Sequence, residues 1–125
     1  MRPDLINPSV LAYLGDSVFE LLVRDYLVRE SGLAKTHEIQ KEAIKYVTAT
    51  SHAKFMHDML SEGFFSEDEV GIYKRGRNNK GNKNESIEHL HSTGFEAIIG
   101  TLYLQKDFKR MNEIFDRYKE YINLR

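Results

Sequence analysis

Two acidic residues lie on stretches that otherwise have the composition of buried helices. Asp16 belongs to a run, residues 10–28, that is apolar on most of a helical circumference, and such a helix is typical of the middle of a bundle. At about 100° per residue, the polar side chains of this run gather within about one third of a turn. They are Ser9, Tyr13, Asp16, Ser17, Glu20 and Arg24. Glu96 is the only acidic residue between Glu88 and Lys106, and its neighbours are mostly apolar.

Buried carboxylates of this kind need a partner. An isolated ionised carboxylate is too costly to bury, so it is paired with a cation, protonated or bound to a metal. Mg²⁺ is held by a few carboxylates together with water and phosphate oxygens. Asp16 and Glu96 on facing helices would suit a metal that activates water and holds a phosphodiester. The structural alternative is that each acid pairs with an arginine, such as Arg24, or caps a backbone group.

The helices that must position these acids can be placed from caps and breakers. Asn7 is a favourable N-cap and Pro8 a favourable first residue, so the first helix is predicted to begin there and to end near Arg29. Ser66, with Glu69 three residues later, forms a capping-box pattern for a helix that ends near Arg77. Further helices are predicted over residues 36–47, 51–62, 86–105 and 107–123, and no segment alternates like a strand. The predicted fold class is all-α.

Gly15 immediately precedes Asp16 in the middle of the first helix. A glycine costs about 1 kcal/mol relative to alanine at such a position. Its presence predicts that another backbone approaches the helix closely at this point.

Composition narrows the function classes. The chain has 125 residues, 41% of them hydrophobic and 30% charged, as expected for one globular domain over residues 1–125. It contains no cysteine, which excludes thiolate metal sites and thiol nucleophiles. No apolar run is long enough for a membrane span and the first residues do not resemble a signal peptide, so we expect a soluble cytoplasmic protein. The net charge of -1 means that any nucleic-acid site is a local patch.

Two motifs resemble the catalytic domain of the ribonuclease III family. Residues 11–20, LAYLGDSVFE, are similar to the signature helix of that domain, and residues 93–100, TGFEAIIG, are similar to its second acidic helix. The order and separation of the two motifs also fit, and the resemblance covers nearly the whole chain. Ribonuclease III proper carries a double-stranded-RNA-binding domain after the catalytic one. Because this chain ends at Arg125, it resembles the form that lacks the second domain.

The resemblance implies an all-α, homodimeric endoribonuclease that cuts double-stranded RNA with Mg²⁺ and leaves 5′-phosphate and 3′-hydroxyl ends. Asp16 and Glu96 match the catalytic and metal-binding acids of the family. The usual role of the shorter form is maturation of precursor 23S ribosomal RNA, a role that allows a ribosomal protein on the substrate as a further partner.

Three positions depart from the larger members of the family. Those proteins have acids where this chain has Ser9, Ala12 and Thr93, and the shorter form departs from them in a similar way. The departures leave fewer protein ligands for each metal. Water or Glu20, acting through water, can fill the gap.

A basic segment follows the fourth predicted helix. Residues 74–83 contain five basic side chains and no acid. A-form RNA is held by contacts to phosphates and 2′-hydroxyls, which such a segment can supply. The predicted RNA-binding residues are Lys74, Arg75, Arg77, Asn78, Lys80 and Lys83. The structural alternative for a charge run is a solvated helix end.

Two other functions were weighed against a nuclease. A catalytically silent RNA-binding module of the same fold, acting in ribosome assembly, would explain the missing acids but would have no need of Asp16 and Glu96. An all-α nucleotide pyrophosphohydrolase would need an E-x-x-E helix. Glu85 and Glu88 have that spacing, but they lie at a helix start, where the helix dipole explains them. The first helix is apolar on more faces than one small monomer covers, which favours a twofold dimer in which it packs near its mate.

Overall fold

The structure is a computed structural model that describes residues 1–78 and 86–124. Across these ranges, the chain forms a short 3₁₀ helix, Pro3–Leu5, followed by six α-helices. They are α1 (Pro8–Glu30), α2 (Thr36–Val47), α3 (Ala49–Ser61), α4 (Glu67–Arg77), α5 (Ile87–Leu104) and α6 (Phe108–Asn123). The all-α prediction is confirmed.

Local capping explains where the helices begin. The side chain of Asn7 accepts a hydrogen bond from the backbone N–H of Ser9, and Pro8 is the first residue of α1, as the sequence predicts. The predicted capping box is also formed, since Ser66 and Glu69 exchange hydrogen bonds at the start of α4. The third helix was predicted to begin at Ser51 but begins at Ala49, because Thr48 caps it by accepting from the Ser51 N–H.

α5 is the central helix and packs against α1, α4 and α3. Eight of its residues between Ser92 and Gly100, or just beyond, are fully or nearly fully buried. Aromatic side chains from four helices meet edge to face beside it. Phe19 of α1 lies 5.2 Å from Phe95 of α5, and Phe55 of α3 lies 4.9 Å from Tyr118 of α6, measured between ring centroids. This core fixes how α1 and α5 face each other.

A half-buried ion pair joins α4 to α6. The guanidinium of Arg110 donates to both carboxylate oxygens of Glu69, each at 2.8 Å, and to the carbonyl oxygen of Phe64 at 2.9 Å. Burial raises the pKa of Glu69, but hydrogen bonds from Arg110 and Ser66 outweigh burial and hold this pKa below its ordinary value. The pair fixes the position of α4. Among the described residues, no helix is long and apolar enough to cross a membrane.

Candidate active site

Two glycines place α1 and α5 in backbone contact. A Cβ atom on Gly15 would lie 1.8 Å from the carbonyl oxygen of Glu96, and one on Gly100 would lie 2.1 Å from the carbonyl oxygen of Leu11. Residues that follow each other along α1 therefore meet residues in reverse order along α5, so the two helices run antiparallel. The close approach predicted at Gly15 is confirmed, and it places Asp16 next to Glu96.

The carboxyl groups of Asp16 and Glu96 lie close enough to share a hydrogen bond. Burial, the shared hydrogen bond and the negative charges of Asp16 and Glu20 raise the pKa of Glu96 to about 9. Asp16 is exposed and Glu96 is half-buried, so the pair is reached from the surface. A carboxyl group with this pKa holds its proton at neutral pH unless a cation takes the place of that proton.

No described cation neutralises this pair. Arg24, a structural alternative as partner of Asp16 or Glu96, lies instead 3.8 Å from Glu20. Within residues 1–78 and 86–124, no lysine, arginine or histidine forms an ion pair with Asp16 or Glu96. The two acids are thus close together, partly desolvated and without a positive partner of their own.

The chemistry of this donor set fits a divalent cation. Two adjacent carboxylates supply the oxygen ligands that Mg²⁺ prefers, with water and phosphate oxygens completing the shell. The described residues include no group of three or more acidic, histidine or cysteine side chains arranged to hold an ion. Glu20 contributes negative charge to Glu96, which is the placement expected for an acid that assists through water.

The three positions where larger family members carry acids have other tasks here. Ser9 is exposed, and both its N–H and its hydroxyl donate to the Asn7 side chain. Ala12 is buried against Ala97 in a small apolar cluster. The Thr93 hydroxyl donates to the His89 carbonyl oxygen at 2.9 Å. Ser9 and Thr93 thus satisfy local backbone or capping groups.

A buried polar pair supports α5 one turn before Glu96, and sequence reasoning did not find it. Nδ1 of His52 lies 2.7 Å from the hydroxyl oxygen of Ser92, and both residues are buried. Burial lowers the pKa of His52 to about 4, despite opposing effects of the Tyr46 carbonyl and the charge of Asp16, so this histidine is neutral at neutral pH. The only sequence signal was Ser92 on the same helical stripe as Glu96.

The basic end of α4 packs on a different side of α5 from the acidic pair. A Cβ atom on Gly76 would lie 2.8 Å from the Cα of Gly94, so α4 meets α5 at that residue. Gly94 and Glu96 are two positions apart and therefore point about 200° apart around the helix axis. The structure does not bring the basic residues of α4 directly beside Asp16 and Glu96.

These basic residues are also spread around α4. Lys74 and Arg75 are exposed, whereas the guanidinium of Arg77 lies 5.5 Å from the centre of the Tyr73 ring. The pKa of Asp4 is lowered by a hydrogen bond from Arg2 and, to a smaller extent, by the charge of Arg75. Asn78 is the C-cap of α4. Lys80 and Lys83 lie outside the described residues, and the RNA-binding assignment of the whole segment stays a prediction.

Comparisons with known proteins agree with this geometry. The family description "Ribonuclease III domain" matches residues 9–107. The chain is 35% identical over 125 residues to a Mini-ribonuclease 3 of Symbiobacterium thermophilum, an alignment that covers 97% of this chain and 94% of that protein. It is 36% identical over 127 residues to a Mini-ribonuclease 3 of Staphylococcus aureus, with 97% and 92% covered.

A solved structure shows the same fold. A crystal structure of a protein from Fusobacterium nucleatum superposes with a TM-score of 0.79 at 25% sequence identity. The match covers 93% of each chain. The six-helix arrangement that brings Asp16 to Glu96 therefore recurs in an experimentally determined structure.

Proposed function

This chain belongs to the ribonuclease III family, as an endoribonuclease with full-length Mini-ribonuclease 3 relatives, and we propose that Asp16 and Glu96 are the acids with which it cuts double-stranded RNA. The observation that carries this proposal is the pair itself. Two carboxyl groups from different helices are held together by a glycine contact, and no described cation neutralises them. Family members act on double-stranded RNA, so a phosphodiester is the group that this acidic pair would meet.

Asp16 and Glu96 would hold Mg²⁺, with Glu20 assisting through water. Mg²⁺ supplies positive charge that neutralises the phosphodiester and favours ionisation of the attacking water. The acids orient that water in line with the phosphorus, and the bond from phosphorus to the 3′ oxygen breaks. This direction of attack leaves 5′-phosphate and 3′-hydroxyl ends. Residues 1–125 act in this proposal as one catalytic domain.

Cleavage of a long RNA duplex in Mg²⁺ tests the assignment of the acids. We expect fragments with 5′-phosphate ends from the wild type and a loss of at least about 10³-fold in kcat from Asp16→Asn and from Glu96→Gln. Asp25→Asn is the matched control, because Asp25 is an exposed acid on the same helix that is already paired with Arg29. Full activity of Asp16→Asn would remove Asp16 from the site. A wild type that binds duplex RNA but cuts it in neither Mg²⁺ nor Mn²⁺ would support the silent RNA-binding module.

The proposed substrate is precursor 23S ribosomal RNA, which places the enzyme in the cytoplasm. A suitable test uses a transcript in which the two precursor ends of 23S RNA are paired, naked or with ribosomal proteins bound. We expect cuts on both strands within the paired ends, and faster cutting when a bound ribosomal protein shapes the substrate. Equal cutting of any duplex at all positions would contradict this specific role.

The proposed active form is a homodimer. Val10, Tyr13 and Leu21 of α1 are 54%, 80% and 66% exposed, and they lie within about 80° of one another around the helix. This apolar surface lacks a cover within the described chain and suits the same helix of a second copy. Light scattering should give twice the 14.6 kDa chain mass, and Leu21→Glu should give the monomer mass. Ile44→Glu, at an exposed apolar residue of α2, should stay dimeric.

We propose that Lys74, Arg75, Arg77 and Asn78, with Lys80 and Lys83, contact the RNA backbone. The support is their charge and the absence of an ion-pair partner for Lys74, Arg75 and Arg77 among the described residues. Each alanine substitution that removes a phosphate contact should lower the slope of log K against log salt by about 0.9. An unchanged slope would assign the segment to a solvated helix end.

A further inference from the structure

A groove of about 1010 Å³ lies between the C-terminal half of α1 and the start of α2. Its basic lining residues are Arg24, Lys35 and His37, all exposed. None of its eight described lining residues is acidic. The groove therefore offers an anion positive charge and N–H donors without a competing carboxylate in its wall.

The groove continues the polar stripe that carries the acidic pair. Asp16, Glu20 and Arg24 follow one another at intervals of four residues along α1, so they lie on one side of the helix. Eight residues at about 1.5 Å per residue place Arg24 about 12 Å along the helix from Asp16. A polyanion with one phosphate at Asp16 and Glu96 would extend along the surface toward or away from Arg24.

The cations of the groove are less engaged than others on the surface. Arg29, Lys45 and Lys119 each have a carboxylate within 3.1 Å on their own helix. Arg24 is 3.8 Å from Glu20, and its side chain is 58% exposed. Lys35 and His37 form no ion pair with any residue in the described ranges. These three side chains can turn to an incoming phosphate without breaking a strong contact.

We propose that Arg24, Lys35 and His37 bind phosphates of the RNA duplex that flank the cleaved bond. The proposal rests on cleavage of double-stranded RNA at Asp16 and Glu96. Three acids at the centre repel RNA, so binding energy has to come from phosphates farther along the duplex, which do not react. Contacts of this kind position the duplex without reading its sequence.

Variants of the groove test the proposal in two measurements. The first is duplex binding against salt concentration in the Asp16→Asn background, where cutting does not interfere. The second is the steady-state kinetics of cleavage by the otherwise unchanged protein. With Arg24→Ala, Lys35→Ala and His37→Ala combined, we expect the salt slope to fall by about 0.9 for each lost phosphate contact. KM should rise at least about tenfold while kcat stays within about twofold, because uniform binding is lost. Arg24→Lys should recover most of the loss in KM.

Arg29→Ala is the matched control. Arg29 is an exposed arginine on the same helix, but it is paired with Asp25 and points about 140° away from Arg24. Its salt slope and KM should equal those of the wild type.

The failures are distinguishable. A wild type that cuts duplex RNA, together with a triple variant of equal KM and salt slope, overturns the groove proposal and leaves the acids in place. A wild type that does not cut overturns the proposed function first. Conversion of the triple variant to a monomer would assign the groove to the contact between two copies and would also overturn the proposal.

Discussion

Gly15 of α1 and Glu96 of α5 are in direct backbone contact. A Cβ atom on Gly15 would lie 1.8 Å from the carbonyl oxygen of Glu96 and 2.7 Å from its carbonyl carbon. The obstacle is the backbone of a central helix, which cannot turn away as a flexible side chain can. The absence of one methyl group therefore sets the distance between the two helices that carry Asp16 and Glu96.

Gly15→Ala should damage both stability and activity. The added methyl group would push α1 and α5 apart and separate the two carboxyl groups. We expect a loss of about 3 kcal/mol or more in the free energy of unfolding, at the upper end of the cost of overpacking, because backbone must move. Urea unfolding measures the loss, and the folded variant at low temperature should retain little cleavage activity.

Gly71→Ala is the matched control for this prediction. Gly71 lies inside α4, and a Cβ atom there would have no neighbour within 4 Å. The same substitution should stabilise the protein by about 0.5–1 kcal/mol, since alanine is the better helix former. Equal effects of the two substitutions would show that helix propensity, rather than the contact with Glu96, explains the result.

The stabilisation by Mg²⁺ should depend on pH through Glu96. Burial, with the contribution of Asp16, raises the pKa of Glu96 to about 9 from an ordinary value of 4.5. In the metal-free protein, the stability contributed by protonated Glu96 is complete below the ordinary pKa and is lost as the pH rises through about 9. Mg²⁺ requires the ionised form, so the increase in Tm on adding it should be larger at about pH 8.5 than at about pH 6.

Glu96→Gln removes the titrating group and controls for this effect. In EDTA, its Tm should fall less than that of the wild type between about pH 6 and about pH 9. Mg²⁺ should raise its Tm little at either pH. An equal rise in the wild-type Tm at both values of pH would mean that the ion binds elsewhere.

The features that the sequence predicted are local ones. Asn7 and Pro8 at the start of α1, the capping box of Ser66 and Glu69, and the close approach at Gly15 each depend on a few adjacent residues. The facing of Asp16 and Glu96 followed from two helical stripes and a resemblance that covers both motifs. Their close placement is now a structural fact, while their roles stay predictions.

The features that the sequence did not predict depend on packing between distant segments. Glu69 and Arg110 are 41 positions apart, and no periodicity links them. The rotation of α4, which turns its basic end toward the Gly94 side of α5, is set by contact between Gly76 and Gly94. Residue types place a charge on a helix, but only the tertiary fold decides what that charge faces.

Breaking the ion pair between α4 and α6 should destabilise the fold without changing the chemistry. Glu69→Gln keeps a side chain that can complete the capping box but leaves the half-buried Arg110 without its carboxylate. We expect a loss of about 2–3 kcal/mol in the free energy of unfolding at neutral pH. Because hydrogen bonds lower the pKa of Glu69, the stability that they contribute is present above its ordinary pKa of 4.5 and is lost as the pH falls further.

The difference between wild type and Glu69→Gln should therefore narrow in acid, as urea titrations at several values of pH would show. Glu113→Gln is the control, since Glu113 contacts the same arginine but its side chain is 50% exposed. It should cost less than about 1 kcal/mol. A constant difference between wild type and Glu69→Gln at all pH values would mean that charge is not what holds α4 to α6.

Thr93→Asp should strengthen the dependence of cleavage on Mg²⁺. Thr93 lies one turn before Glu96 on the same stripe of α5 and is half-buried, and its hydroxyl has only a backbone carbonyl as partner. A third carboxylate there adds negative charge next to the Asp16–Glu96 pair. The Mg²⁺ concentration that gives half-maximal cleavage should fall roughly fivefold, because such a charge is worth about 1 kcal/mol even at the dielectric constant of water. Thr93→Asn, of the same shape without the charge, should leave this concentration unchanged or raise it, and equal effects of the two variants would show that the ion does not sense position 93.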